Sequence, residues 1–265
     1  MRISIITVVK DRKDSIADAL QSVARQKVSG FELEHLVIDG ASADGTTARI
    51  RAFADKLGEK GGVDGGGYVF RWLSEKDDGL YDALNKGIRM ATGDVIGVLH
   101  SDDSFDGDET LMKIATAFTP DVEAVYGDVR FVAKTGGPTV RYCTGRRFRP
   151  WMFRFGTQIA HTSFFCRRSC FERLGPYSLD YGLYGDFELL LRYIWKYRIA
   201  IRYVPVCTTV MKTGGASTGS LKKTLRINRI NLRALKAHGY RSNYLFLFSR
   251  YLFKIWGYVF TGKGV

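Results

Sequence analysis

Residues 74–103 read SEKDDGLYDALNKGIRMATGDVIGVLHSDD, and this stretch decides the fold. Residues 80–90 place apolar side chains at the spacing of one helix face, and residues 95–99 form a short apolar run. An amphipathic helix followed by a buried strand is one repeat of an alternating α/β fold. The polar residues 100–103 (HSDD) follow the strand directly, so the strand leads into a candidate polar site.

The alternation of strand and helix signals extends to both sides of this stretch. Up to residue 128 we predict strands at 3–9, 36–39, 68–73, 95–100 and 124–128, and helices near 16–23, 47–53, 80–90 and 111–118. Beyond it we predict strands near 130–133, 140–143 and 161–166, and helices near 186–197, 220–238 and 243–260. Strands alternating with helices of this length indicate an α/β fold with a mainly parallel sheet flanked by helices.

The composition is that of a folded protein with an uneven charge distribution. The 265 residues are 45% hydrophobic and 25% charged, which is enough for one large α/β domain with an appendage, or for two small domains. The net charge is +13; residues 129–171 and 212–265 contain no Asp or Glu and together carry +20, which leaves −7 for the rest. Basic blocks favour polyanionic partners: nucleic acid, phosphorylated substrates or an anionic membrane surface.

The chain start and the cysteines bear on the cellular compartment. Residues 1–10 form a strand-like run without a secretory cleavage site, and the four cysteines form neither a CxxC pair nor a dense framework. We therefore expect a cytoplasmic protein whose thiols are free.

Polar residues stand at the ends of three predicted strands. The first strand ends in the segment 7–11 (TVVKD), the second runs into 39–46 (DGASADGT), and the fourth ends in 100–103 (HSDD). Ligands of open α/β sheets bind at the carboxyl ends of the strands. Three polar segments at one sheet edge therefore predict a ligand pocket.

The acidic pair Asp102 and Asp103 indicates a metal site. Two adjacent carboxylates at the end of a buried strand repel each other and lose hydration unless a cation neutralises them. Oxygen ligands suit Mn²⁺ or Mg²⁺, which would complete their coordination with water and a diphosphate. Ser-Asp-Asp-Ser is also good turn chemistry, so a plain turn is the alternative.

Four stretches, taken in order, resemble the family 2 glycosyltransferases, which have a Rossmann-like GT-A fold. They are ISIITVVK, LVIDGASADGT, residues 74–103 as quoted above, and YGDFELLLR. The resemblance runs to about residue 215 and implies a catalytic domain at 1–215, with a nucleotide- and metal-binding half at 1–128 and an acceptor half at 129–215. The remaining residues, 216–265, form a basic, aromatic helical tail.

The resemblance implies roles for the strand-end residues. Thr7 and Val8 would contact the nucleotide, and Asp39 would hydrogen-bond the base. Asp103 would be the direct metal ligand, with Asp102 facing the ribose or donor sugar; Ser101 replaces the more usual first aspartate of this motif.

Residues 75–89 are similar to a segment of the enzymes that build bacterial surface polysaccharides, in which it lines the donor site. The candidates are Asp78, Tyr81, Asn85 and Lys86. For Lys86, a solvated position on the helix surface is the alternative.

The reaction requires a general base, since a sugar hydroxyl is a poor nucleophile. Asp186 matches the acidic motif of the family and lies where a helix begins, so it is also a candidate helix cap. Glu188 is the alternative base. With a single base, the acceptor hydroxyl would attack the anomeric carbon opposite the departing diphosphate. Such an attack implies inversion at that carbon. His161, in a predicted strand, and Lys212, in a predicted loop at 212–218, are further candidates beside the phosphates or acceptor.

Residues 243–260 (NYLFLFSRYLFKIWGYVF) contain eight aromatic residues. They are marginal as a membrane span, because Arg250 and Lys254 lie near the centre. We expect residues 220–260 to lie on an anionic membrane at the inner face of the cell membrane, which would suit a lipid-linked saccharide acceptor. Packing on the catalytic domain or on another subunit is the alternative.

Other functions fit the sequence less well. A sugar nucleotidyltransferase or a dehydrogenase would have a glycine-rich loop after the first strand, and residues 7–10 contain no glycine. The aromatic residues of the tail do not alternate with cations on a strand platform, so we expect no nucleic-acid partner. An inactive membrane-bound scaffold of the same fold remains an alternative, and the sequence leaves the oligomeric state open.

Overall fold

The computed structural model describes residues 1–59, 67–213 and 221–250. The strands are β1 (Arg2–Val9), β2 (Glu32–Asp39), β3 (Tyr68–Ser74), β4 (Val95–Val98), β5 (Ser104–Phe105), β6 (Ala124–Val132), β7 (Thr139–Cys143), β8 (Phe164–Arg167) and β9 (Ile201–Lys212). The α-helices are α1 (Ile16–Ala24), α2 (Thr46–Glu59), α3 (Leu80–Met90), α4 (Thr110–Ala117), α5 (Arg168–Leu174), α6 (Gly185–Leu190) and α7 (Leu221–Ala237). Short 3₁₀ helices cover Pro150–Phe155, His161–Ser163 and Leu179–Tyr184, and a π-helical turn, Leu191–Lys196, continues α6.

The described strands form one sheet with the order β3-β2-β1-β4-β8-β6-β9-β5, and β7 pairs with β6. The first four strands in this order are parallel. The remainder is mixed, because β8 runs antiparallel to both β4 and β6 while β9 runs parallel to β6. The predicted α/β fold with flanking helices is confirmed, and its continuous parallel part is confined to the nucleotide-binding half expected from the sequence.

Strand β1 is buried on both faces of the sheet. Ile6 and Val8 lie in the core cluster that includes residues of α3 and α6, whereas Ile3 and Ile5 lie in the cluster that includes residues of α4. A strand covered on both faces needs apolar side chains at successive positions rather than alternating ones. This is why the run from residue 3 to residue 9 predicts the strand so well.

Two predicted strands, at 124–128 and 130–133, prove to be one strand. Asp128 lies inside β6 because its buried carboxylate accepts hydrogen bonds from the hydroxyls of Tyr142 (2.8 Å) and Tyr203 (3.0 Å) and from the amide of Gly145 (2.8 Å). These partners compensate the charge, so the acid does not end the strand. Strand β9 was not predicted, since its side chains are mostly half-buried and Pro205 interrupts the pattern.

The strand predicted at 161–166 begins at Phe164. His161 instead lies in the 3₁₀ turn, where the Ser163 amide and hydroxyl both donate to the carbonyl of Ala160, at 3.0 and 2.8 Å. The prediction of a strand at His161 is therefore wrong. A turn directs this side chain into the site described below.

The carboxyl-terminal residues contact the segment 156–188. His238, just after α7, lies 2.7 Å from Glu188 of α6, and the Arg233 guanidinium donates to the carbonyl of Asp180. Residues 244–250 begin another helix, in which Arg250 donates to the carbonyl of Gly156 at 2.7 Å. Residues 251–260 of the predicted 243–260 helix lie outside the described residues. No helix in the described part of the chain combines the length and apolarity that crossing a bilayer requires.

Two helical glycines provide a test of how α3 is seated on the sheet. A methyl group at Gly87 would overlap the side chain of Ile6, whereas one at Gly58 in α2 would meet no atom within 4 Å. We expect Gly87→Ala to lower the free energy of unfolding by about 1–3 kcal/mol through overpacking. Gly58→Ala should instead raise it by up to ~1 kcal/mol through helix propensity. Chemical denaturation of both variants checks this, and equal effects would contradict the tight α3–β1 contact.

Candidate active site

The acidic pair follows β4 in a tight turn. The amide of Asp103 donates to the carbonyl of His100 at 3.1 Å, so the turn alternative describes the backbone correctly. This turn directs Asp103 inward, where only 4% of the residue is exposed. Burial and the neighbouring Asp102 raise the pKa of Asp103 well above its usual range, and Lys212 partly opposes them.

Asp103 has the features of a cation ligand. Its Oδ2 atom is buried and has no hydrogen-bond partner within the described residues. A buried carboxylate oxygen without a donor is costly, and a cation would satisfy it. The residues described include no group of three or more His, Cys, Asp or Glu suited to a metal. One or two carboxylates suit an ion that takes its other ligands from water and a diphosphate.

Lys212 ends β9 close to this acidic pair. Its Nζ atom lies 3.5 Å from Asp18 Oδ2 on α1, and its charge acts on Asp103 to lower the pKa. The sheet therefore brings a lysine to the carboxylates that lie more than a hundred residues earlier. Residues 214–218 of the predicted loop lie outside the described residues.

Asp39 organises the loop after β2. Its carboxylate accepts hydrogen bonds from the hydroxyls of Ser42 (2.5 Å), Thr47 (2.7 Å) and Ser74 (2.6 Å) and is fully buried. It thereby joins the loop to α2 and to the end of β3. Its contact with a nucleotide base stays a prediction.

Thr7 and Val8 have side chains that face the protein interior. The Thr7 hydroxyl lies 3.0 Å from Nε2 of His35, whose pKa burial lowers to about 3, so this imidazole is neutral. Val8 is a core residue with 5% exposure. Contacts from this segment to a nucleotide would therefore come from the backbone.

The candidates at 75–89 have different surroundings. The side-chain amide of Asn85 makes two hydrogen bonds with the backbone of Tyr177. Its nitrogen donates to the Tyr177 carbonyl at 2.8 Å, and its oxygen accepts from the Tyr177 backbone amide at 3.0 Å. Lys86 donates to the carbonyl of Lys76 at 2.7 Å and lies 2.9 Å from Glu75. Asp78 is exposed. Asn85 thus acts as a clamp between α3 and the segment before α6, and only Tyr81 of the four contacts Asp186.

Asp186 is held from several directions in the first turn of α6. Its Oδ1 accepts from the Tyr81 hydroxyl at 3.1 Å, and its Oδ2 accepts from Nε2 of Gln158 at 2.6 Å. Nδ1 of His161 lies 3.7 Å from Oδ2. The helix cap position is occupied by Tyr184, so Asp186 is not the cap. The Tyr81 hydroxyl also accepts a hydrogen bond from the backbone amide of Asp186 at 3.1 Å, and this bond fixes the backbone of the turn.

Two histidines connect the acidic pair with Asp186. Nε2 of His100 lies 2.7 Å from Nε2 of His161. Burial, with His161 adding to it, lowers the pKa of His100 to about 3, and burial also lowers the pKa of His161 against the opposing effect of Asp186. Both rings are therefore neutral at pH 7, and one donates its proton to the other.

Glu188 has other partners. It lies 2.8 Å from Arg192 and 2.7 Å from His238. Burial opposes its charge, but hydrogen bonds from His238 and Arg192 outweigh burial and lower the pKa of Glu188. This acid joins α6 to the end of α7, whereas Asp186 contacts Tyr81, Gln158 and His161.

Gln158 and His100 are site residues that the sequence analysis did not select. His100 directly precedes the acidic pair, a position that a search of the strand end would include. Gln158 gives no such signal, because its contact with Asp186 spans 28 residues.

The unpartnered carboxylate predicts an unusual stability effect. Asp103→Asn removes a charge that burial and Asp102 destabilise, so the metal-free variant should melt at a higher temperature than the wild type at pH 8. A raised folded-state pKa means that this cost is lost as the pH falls toward the ordinary range of a carboxyl group, so the difference should shrink at pH 5. Asp55→Asn, at an exposed position on α2, is the control. A lower melting temperature for Asp103→Asn than for the wild type at pH 8 would contradict the argument that the buried charge of Asp103 destabilises the metal-free protein.

The fold of the chain resembles that of known proteins. Two solved structures resemble the chain in fold: Staphylococcus aureus TarS 1–349 (14% identity, TM-score 0.65, covering 99% of this chain and 76% of that one) and the mannosyltransferase PcManGT of Pyrobaculum calidifontis (17%, 0.59, 98% and 81%). Against a longer TarS chain, the protein spans 44% of that chain's length.

The sequence relatives identify the family. A "PGL/p-HBAD biosynthesis glycosyltransferase" of Mycobacterium bovis is 33% identical over 190 residues, which are 71% of this chain and 67% of the relative. The sequence model described as "Glycosyl transferase family 2" matches residues 4–174, which include β1, the Asp39 loop, the acidic pair and the histidine pair. The chain therefore belongs to glycosyltransferase family 2 and is a glycosyltransferase with a GT-A fold.

Proposed function

We propose that the protein transfers a sugar from a nucleoside diphosphate to a hydroxyl of a saccharide acceptor, with inversion and with the help of Mn²⁺ or Mg²⁺. The observation that carries this proposal is the arrangement of Asp186. Its two carboxylate oxygens are fixed by Tyr81 and Gln158, and a histidine pair connects it with the acidic pair at the end of β4. Asp186 as the base and Asp103 as the cation ligand would thus act in one site.

The donor would bind along the carboxyl ends of β1, β2 and β4. TarS has been solved with UDP and with UDP-GlcNAc, and PcManGT with GDP-Man and Mn²⁺, which supports a nucleotide sugar as the donor class. Asp39 would meet the base and Asp102 the ribose or sugar. The segments of Thr7, Val8 and Asp78 would border the nucleotide, and Lys212 would face the phosphates.

The metal would be held by Asp103, whose Oδ2 is buried without a partner in the described residues. When bound, Mn²⁺ or Mg²⁺ would neutralise the acidic pair and stabilise charge on the departing nucleoside diphosphate. Lys212 adds a second positive charge on the same side of the site. We infer that donor and metal occupy the site together, because the diphosphate would supply ligands that the described residues do not.

Asp186 would act as the general base. A carboxylate whose oxygens already accept hydrogen bonds from Tyr81 and Gln158 keeps one orientation, and its remaining lone pairs are directed to the acceptor. It would take the proton of the acceptor hydroxyl as that oxygen attacks the anomeric carbon opposite the leaving group. This geometry inverts the anomeric configuration.

We further propose that the protein works at the inner face of the cell membrane on a lipid-linked acceptor, in the biosynthesis of a bacterial polysaccharide. The carboxyl-terminal region exposes large apolar side chains, with Leu245 77% exposed; the others are Leu225, Tyr244 and Phe248. Exposed cations of α7 accompany them: Arg226, Arg229, Arg233 and Lys236. Apolar side chains beside cations suit an anionic lipid surface. Arg250 and Arg233 also hold this region to the carbonyls of Gly156 and Asp180.

Asp186→Asn tests the proposed base. The variant should lower the rate of nucleoside diphosphate release from UDP-GlcNAc or GDP-mannose in the presence of Mn²⁺ by about 10²–10⁴-fold. The thermal shift produced by the donor should remain, since asparagine preserves the shape of the side chain. Asp180→Asn, at an exposed position before α6, is the matched control. Wild-type rates in Asp186→Asn would sink the assignment, and a lost thermal shift would indicate a donor-binding role instead.

Vesicle binding tests the proposed membrane contact. The double variant Leu245→Ser with Phe248→Ser should bind phosphatidylglycerol vesicles about ten-fold or more weakly in flotation, because each buried apolar side chain contributes roughly 1.5–3 kcal/mol. Leu179→Ser with Leu183→Ser removes equally exposed leucines elsewhere (54% and 60% exposed) and is the control. The proposal predicts weaker binding to phosphatidylcholine vesicles. Equal loss in both double variants would contradict a specific face.

A further inference from the structure

A small cavity lies beside Asp186 and is not used by the donor in the proposed reaction. Its volume is about 210 Å³, and its lining comes from the end of β7 and the segment between β7 and β8, at residues 143–145, 147, 148, 152 and 157–160, together with Gly127. Pockets for drug-sized ligands are usually about 300–1,000 Å³, so this cavity suits a single ring.

Gln158 links this cavity with the candidate base. The residue lines the cavity, and its Nε2 donates to Asp186 Oδ2 at 2.6 Å. This bond fixes which end of the amide is oxygen. Oε1 is then a buried acceptor without a partner in the described part of the chain. Leaving such an acceptor unpaired costs about 1–3 kcal/mol, so a small movement that opened it to a ligand hydroxyl in the cavity would be favourable.

The remaining lining is mixed in a way that suits a sugar. Phe148 (7% exposed) and Ile159 (3% exposed) provide apolar surface, and Met152 lies beside them. Thr157 and Arg147 are exposed polar residues of the same lining. A sugar ring presents apolar C–H faces and polar hydroxyl edges, so it matches both parts. A water molecule would satisfy Oε1 but would leave the apolar lining uncovered.

We propose that this cavity receives the terminal sugar ring of the acceptor and that Gln158 is a positioning residue for its reacting hydroxyl. The inference rests on the proposed function, because it takes Asp186 as the base. Oε1 accepts a hydrogen bond from a hydroxyl of the acceptor ring, while Nε2 holds Asp186 in place beside the reacting hydroxyl. The rest of the acceptor lies outside the cavity, which has room for one ring only.

The test separates transfer to a sugar from transfer to water. Release of nucleoside diphosphate from UDP-GlcNAc and from GDP-mannose is measured with Mn²⁺, first without an acceptor and then with the methyl glycosides of glucose, galactose, mannose and rhamnose. Met152→Trp and Ala160→Leu both reduce the cavity, and having two such variants guards against one that misfolds. We expect each to lower glycoside-stimulated release at least ten-fold while release to water stays at the wild-type level.

Substitutions of Gln158 test its own role. Gln158→Ala should raise the KM for the glycoside by about ten-fold, equivalent to one hydrogen bond of ~1.4 kcal/mol, with the donor KM unchanged. Gln158→Glu retains an oxygen but places a second carboxylate against Asp186, so the acidic limb of the pH–rate profile should move to higher pH. Gln21→Ala, an exposed glutamine on α1, is the matched control.

The outcomes distinguish the two levels of the proposal. If wild-type protein neither hydrolyses nor binds either donor, the proposed function fails and the inference fails with it. If the donor is hydrolysed but no glycoside accelerates release, the cavity does not take a single sugar ring. Unchanged stimulation in Met152→Trp, Ala160→Leu and Gln158→Ala would overturn the inference in the same way.

Discussion

The hydrogen bond between Tyr81 and Asp186 is the contact on which the site depends. Tyr81 lies on α3, its hydroxyl accepts the amide of Asp186, and it donates to that residue's carboxylate. Its position is set by the seating of α3 on β1, where Gly87 lies against Ile6 without room for a methyl group. Asn85 secures the same helix to Tyr177. A helix in the first half of the chain thus orients the candidate base in the second half.

The sequence predicts the parts of this arrangement that follow from local pattern. The apolar strand β1, the helix α3 and the acidic pair after β4 are recognisable because burial on both faces, helical spacing and a strand-end turn leave local signatures. The parallel topology then brings the strand ends to one edge. Gln158 and the contact between the two histidines escape prediction, because these residues meet Asp186 and each other across 28 and 61 residues. Of the three, His161 was a candidate from the sequence, although in a predicted strand. Strand β9, which brings Lys212 to the acidic pair, carries no clear alternation.

The carboxyl-terminal region shows why a charge pattern alone is ambiguous. From the basic stretch beyond residue 212, we predicted a single lipid-binding surface. In the structure, however, two of these arginines donate to backbone carbonyls, Arg233 to that of Asp180 and Arg250 to that of Gly156. His238 pairs with Glu188. Arg226, Arg229 and Lys236 are exposed on α7, and Leu245 is exposed beyond it. Cations that bind carbonyls and cations that face solvent look alike in a sequence, because the acceptors belong to the backbone.

The electrostatics of the site leave the candidate base beside neutral histidines. Nε2 of His100, just before the acidic pair, lies 2.7 Å from Nε2 of His161, whose Nδ1 lies 3.7 Å from Asp186 Oδ2. Burial lowers the pKa of both histidines, so neither supplies positive charge at pH 7. A protonated histidine beside Asp186 would pair with its carboxylate and weaken its ability to accept a proton. A neutral pair keeps the geometry of a hydrogen-bonded link without that penalty. Among the described residues, Lys212 then partly compensates the acidic pair, and the proposed cation would complete this compensation where the leaving diphosphate would develop its charge.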